Sequence, residues 1–139
     1  MIPRVLEPHI AWRAADVSDP SRWTVRLDDY DRRELNEALI HAKSVSHDPL
    51  EVDRDAFPLP TLSAKLAKIE RELIDGRGFV LLRGLVAERY CDDDLTLLYW
   101  GIGLHLGDPW PQNKAGLLMA DVTDQGRSRS DPKLSLIHI

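Results

Sequence analysis

A helical stripe that runs through a glycine straight into an all-apolar strand limits the fold of this chain more than any other feature. Leu62, Leu66, Ile69 and Leu73 stand at spacings of four, three and four, which puts them on one face of a helix beginning near Thr61. Gly76 follows the last periodic residue and is expected to end the helix in the left-handed conformation. The run GFVLLRGL follows at once. Phe79, Val80, Leu81 and Leu82 are apolar on both faces, as a buried central strand requires, and Gly84 breaks the run. A strand of that kind needs cover on both sides, so the chain is expected to be α/β with at least two packed layers.

The flanking segments supply further helices. DDYDRRELNEALIHAKSV sets Leu35, Ala38, Leu39, Ala42 and Val45 on one stripe, with acids in the first turn where the helix dipole favours them. AERYCDDDLTLLYWGIGLHLG predicts a third helix with Asp92, Asp93 and Asp94 in its first turn and Leu95, Leu98, Tyr99 and Ile102 on its inner face. Gly101 and Gly103 weaken its end. Residues 1–27, with Pro3, Pro8 and Pro20, read as an irregular arm anchored by Trp12 and Trp23. SHDPLEVDRDAFPLP reads as a loop, because prolines and aspartates interrupt any period, and GLLMADVTD predicts a second strand.

Composition excludes several function classes. With 139 residues, 43% hydrophobic, the chain is long enough for one domain with its own core. The net charge of −5, with bases scattered among acids, lacks the electrostatic footprint of a nucleic-acid binder. Cys91 is the only cysteine, which leaves neither an intrachain disulfide nor a cysteine-based zinc site and fits a reducing compartment. MIPRVLEPHIAW lacks the apolar run of a signal peptide, and no stretch approaches the ~20 apolar residues of a membrane span. The expected address is cytoplasmic, with no membrane partner.

Neither glycine cluster fits a phosphate loop. GRGFVLLRG has Leu81 where the third glycine of a dinucleotide fingerprint belongs and precedes its strand, whereas GIGLHLG lies at a helix end. Close packing and chain reversal account for the second cluster better. An iron site of the facial type needs His-x-Asp/Glu plus a distant histidine. None of His9, His41, His47, His105 or His138 has an acid two places on, so no metal ligand and no catalytic residue is assigned. His105 is expected to pack or cap. Adjacent aspartates on a helix point around its axis, so Asp92–Asp94 read as dipole compensation and not as a cation site. Gln112 and Asn113, after Trp110 and Pro111 in a rigid loop, are the candidate substrate-binding residues. Their amides suit either a ligand or their own turn, and the sequence leaves both readings open.

From Phe57 to Gly126 the order GRGFVLLRGL, a helix led by Tyr90 and aspartates, GIGLHLGDPWPQN and GLLMADVTDQG resembles the N-terminal part of the TauD/TfdA-like family. That family contains taurine dioxygenase and related Fe(II)- and 2-oxoglutarate-dependent oxygenases. Residues 9–45 resemble the opening of one subgroup more loosely. The resemblance implies a double-stranded β-helix, or jelly-roll, of which this chain supplies the N-terminal helical buttress and first strands. It implies a parent enzyme that hydroxylates a small organic substrate using Fe(II), 2-oxoglutarate and O2. The family's His-x-Asp, distal His and 2-oxoglutarate-binding Arg follow the stretch matched here, so none carries over and no cofactor is expected on this chain alone.

The final LSLIHI is what CTG TCT CTT ATA CAC ATC encodes, the end sequence of a transposase adapter used in library preparation. The expected organisation is therefore an arm and helix over 1–56, an incomplete TauD/TfdA-like domain over 57–133 and an adapter-derived tail over 134–139. On this reading the chain is an inactive, self-associating oxygenase fragment. The alternative is a short non-catalytic binding or interaction module built from the same fold.

Overall fold

The computed structural model describes residues 11–120 of the chain. It is α/β, with β1 (Thr24–Arg26), α1 (Asp29–Val45), α2 (Leu62–Ile74), β2 (Leu81–Arg83) and α3 (Asp92–Leu104) in that order. Contacts divide the chain into one compact unit ending at Pro109 and a second beginning at Trp110. The expected division at residues 56/57 falls inside the first unit. The tail at 134–139 and the second half of the expected GLLMADVTD strand lie outside the described residues, and Gly116–Ala120 of that stretch are not strand.

The two strands pair in parallel, Thr24 opposite Leu81, Val25 opposite Leu82 and Arg26 opposite Arg83. Parallel partners need a crossover, and here it carries both α1 and α2. The arm thus ends in a strand that the sequence reading leaves irregular. Trp12 and Trp23 set their rings edge-on to Phe79 at 5.1 and 5.7 Å, so the tryptophans do anchor the arm. Arg32 Nη1 donates to Leu27 O at 2.7 Å and Gly84 O at 3.3 Å, which fastens the exits of both strands to α1. Gly84 ends β2 with φ +107°, and a Cβ there would sit 2.7 Å from Leu27 O.

The helices start as their caps dictate. Asp28 accepts from the N–H groups of Tyr30 and Asp31, while the Asp31 carboxylate accepts from Asp28 N–H, a reciprocal box at the start of α1. Thr61 makes no side-chain cap for α2; instead Glu34 of α1 accepts from Thr61 N–H at 2.8 Å and Leu62 N–H at 2.9 Å. A carboxylate from one helix therefore satisfies the orphan donors of the next. The end of α2 differs from expectation: the helix stops at Ile74, and the left-handed residue is Gly78, φ +85°, whose N–H reaches back to Glu72 O at 3.2 Å. Gly76 is there because a Cβ would collide with Glu72.

The α1 and α2 stripes bury Leu35, Ala38, Leu39 and Ala42, and Leu62, Leu66 and Ile69. Their last members, Val45 and Leu73, are exposed. In α3 the inner face differs from the expected one. Leu97, Leu98, Trp100 and Gly101 are buried, and Tyr99 is 74% exposed. Gly101 decides this rotation, because a Cβ at that position would overlap the ring of Phe57. Phe57 and its neighbours Val52, Ala56 and Leu59 make the loop between α1 and α2 a buried part of the core.

Candidate functional site

Residues 110–117 form a turn that holds itself. Gln112 N–H donates to Leu117 O at 2.7 Å and Gly116 N–H to Asn113 O at 3.0 Å, with Gly116 at φ +79° allowing the reversal. Asn113 Oδ1 accepts from Ala115 N–H at 2.9 Å and Leu117 N–H at 3.3 Å, the pattern of an Asx turn. Gln112 Nε2 donates to Trp110 O at 2.6 Å. The turn-stabilising role left open by the sequence is therefore filled by one end of each amide. Asn113 Nδ2 and Gln112 Oε1 make no hydrogen bond among the described residues.

The histidines and the α3 tryptophan hold the buried loop. Trp100 Nε1–H donates to Val52 O at 2.9 Å, His105 Nε2 lies 2.8 Å from Phe57 O and His41 Nδ1 lies 3.0 Å from Ala56 O. A carbonyl oxygen only accepts, so each imidazole carries its proton on the named nitrogen. His105 also occupies the C-cap of α3, the packed and capping role expected for it. Its Nδ1 is buried with no hydrogen-bond partner among the described residues. The Val52 and Phe57 bonds are buried and the Ala56 bond part-buried, and three aromatic N–H donors from two helices satisfy these carbonyls.

The acids do not converge on an ion. Asp94 turns to Lys43 Nζ at 2.7 Å, and that hydrogen bond holds the lysine pKa above its ordinary value. Asp92 and Asp93 stay exposed in the first turn of α3, consistent with dipole compensation. Asp31 is buried and bonded to Lys65, whose pKa is raised by that bond first and by the charges of Asp31 and Asp28 after it. Among the described residues no group of three or more His, Cys, Asp or Glu could hold a metal ion. No His-x-Asp/Glu occurs anywhere in the sequence either, so the residues of this chain do not fit an iron centre.

A surface groove of about 370 Å³ lies between β1 and α2. Trp23, Val25, Ile69 and Val80 give it an apolar lining, and Arg22, Arg26, Lys65 and Lys68 also border it. Sequence reasoning missed this groove. The four basic residues come from two segments forty residues apart, and only the folded crossover gathers them.

No helix among the described residues is long and apolar enough to cross a membrane. No protein-family model matches the chain. FR-33289 synthase of Streptomyces rubellomurinus is 31% identical over 122 residues, covering 88% of this chain and 36% of the relative. Taurine hydroxylase-like protein SAT17 of Stachybotrys chartarum is 28% identical over 116 residues, covering 84% of this chain and 29% of the relative. The chain spans about a third of the length of these curated relatives. At low identity, and over part of their length, the similarity relates this chain to TauD-like oxygenases.

Proposed function

We propose that the chain is the N-terminal helical support of an Fe(II)- and 2-oxoglutarate-dependent oxygenase that hydroxylates a small organic substrate. One observation carries the reading: similarity to a protein named taurine hydroxylase-like extends over 116 residues, 84% of the chain. Bound Fe(II) and 2-oxoglutarate would supply the oxidising chemistry, and their ligands belong to the rest of the protein, since the residues here do not fit them. The share of this chain is structural and steric. It holds β1 and β2 as the first strands of a jelly-roll that further strands complete. It also presents Asn113 Nδ2 and Gln112 Oε1, each left without a partner among the described residues, as a donor and an acceptor toward the substrate.

The test is to express the complete coding sequence from the source genome and follow 2-oxoglutarate by NMR. Succinate should form with Fe(II) and a cognate substrate, and a chelator should stop it. A complete protein that has no His-x-Asp/Glu and makes no succinate with Fe(II) overturns the reading, and leaves the non-catalytic module in its place.

A further inference from the structure

We propose that Arg26 and Arg83 form a clamp for a phosphate group at the exits of the two strands, on the sheet face turned away from α2. This inference does not rest on the oxygenase reading, because both arginines and the bonds that fix their spacing lie within residues 24–84.

Register and alternation bring the pair together. Val25 and Val80 line the groove with Ile69 of α2, so the alternate residues of the paired strands turn to the other face. Those residues are Thr24 and Arg26 on β1 and Leu81 and Arg83 on β2. Arg26 stands directly opposite Arg83, on neighbouring strands about 4.8 Å apart. Like charges placed opposite each other on a sheet repel, a cost that an anion held between them removes.

The backbone keeps that spacing fixed. Leu27 N–H donates to Arg83 O at 2.7 Å, and Arg32 Nη1 bridges Leu27 O at 2.7 Å and Gly84 O at 3.3 Å. Both guanidiniums therefore hang from strand ends that are tied to each other. In open parallel sheets, ligands bind beyond the carboxyl ends of the strands, and each arginine is the last residue of its strand.

The nearby acids are already engaged. Asp28 caps α1 and lies 3.7 Å from Lys65, Asp29 pairs with Arg32, and Asp31 is bonded to Lys65. Arg26 and Arg83 are exposed and form no ion pair among the described residues. A chain that carries −5 overall thus leaves two adjacent guanidiniums open to an outside anion. Each presents a planar fork of N–H donors that matches phosphate oxygens, and two forks answer the double charge of one phosphate group. A carboxylate, with a single charge, satisfies only one of them.

The test uses the 139-residue chain, isotopically labelled, titrated at constant ionic strength with inorganic phosphate, methyl phosphate and acetate. Both phosphates should shift the side-chain Nε–H signals of Arg26 and Arg83 saturably. They should bind about five-fold more tightly than acetate, roughly the worth of one further exposed ion pair. Whichever phosphate binds more tightly identifies the ligand as the free ion or an ester. R26Q and R83Q should each remove the preference for phosphate over acetate, with the amide signals of the three helices unchanged. R33Q/R54Q, which removes two exposed arginines elsewhere, should keep it. Three results would each overturn the proposal: no saturable shift at Arg26 and Arg83, acetate binding as tightly as phosphate, or a phosphate preference that survives either single substitution.

Discussion

The helical side of the first unit and its sheet side both carry apolar residues to bury, and they end in different states. On the helical side Phe57, Leu35, Leu62, Leu66 and Leu98 are within 1% of full burial. On the sheet side Val25, Val80, Leu81, Leu82, Leu85 and Val86 all stop at intermediate burial. The difference lies in what closes each layer. α1, α3 and the loop between α1 and α2 interlock through Phe57 against Gly101 and three aromatic N–H donors, so the core side chains find packing partners nearby. Among the described residues β1 and β2 have one hydrogen-bonded neighbour each, which leaves an edge on either side. Hydrophobicity alone does not bury a residue; a second surface of matching shape does.

The largest effect that would break this contrast is at the two phenylalanines. Phe57→Ala should cost about 3–5 kcal/mol, the usual range for a fully buried phenylalanine, read as a fall in urea midpoint. Phe79→Ala, on the sheet side and in contact with Trp12 and Trp23, should cost about half as much or less, because its surface is only partly removed from water. Equal losses would mean that the two sides are equally packed.

A smaller change sharpens the claim that Gly101 sets the rotation of α3. Gly101→Ala drives a methyl into the Phe57 ring and should destabilise by about 1–3 kcal/mol. In a Phe57→Leu background the same substitution should cost much less, so the two changes are non-additive in thermal or urea melts. Additive losses would remove Phe57 as the reason for the glycine.

The smallest effect concerns pH. The Asp31 backbone N–H, then Lys65 and the Tyr30 N–H, hold the Asp28 carboxyl below its ordinary value. A depressed carboxylate stabilises the fold above its ordinary pKa and loses that contribution as pH falls through the folded value. Asp28→Asn keeps a good cap without the charge. It should therefore be less stable than the parent at neutral pH, with the gap closing as the pH is lowered past the carboxylate range.

Much of the helical framework was legible in the sequence, because Leu35–Ala38–Leu39–Ala42 and Leu62–Leu66–Ile69 repeat at the helical period and nothing competes with them. The α3 face was not. Its residues are apolar almost all round, so periodicity could not choose a side, and the choice fell to a glycine whose meaning depends on Phe57, forty-four residues earlier. The buried loop was illegible for a related reason: Val52, Ala56, Phe57 and Leu59 follow no period and are held by donors remote in sequence. β1 is three residues long, too short to show alternation. At the candidate site the sequence singled out the amide pair but could not choose between turn and ligand, and the structure shows the turn bonds of one end of each amide. The groove between β1 and α2 depends on a crossover that no local pattern records.

Amide hydrogen exchange, run on the 139-residue chain and on the complete gene product, tests most directly whether this chain is a finished helical support for a sheet that other strands complete. The account predicts strong protection in α1, α2 and α3 in both proteins. It predicts weak protection at Leu27 N–H and Leu81 N–H, which bond to Arg83 O and Trp23 O across the strand pair, in the short chain alone, rising by orders of magnitude in the complete protein. Equal protection of these two amides in both proteins would contradict it.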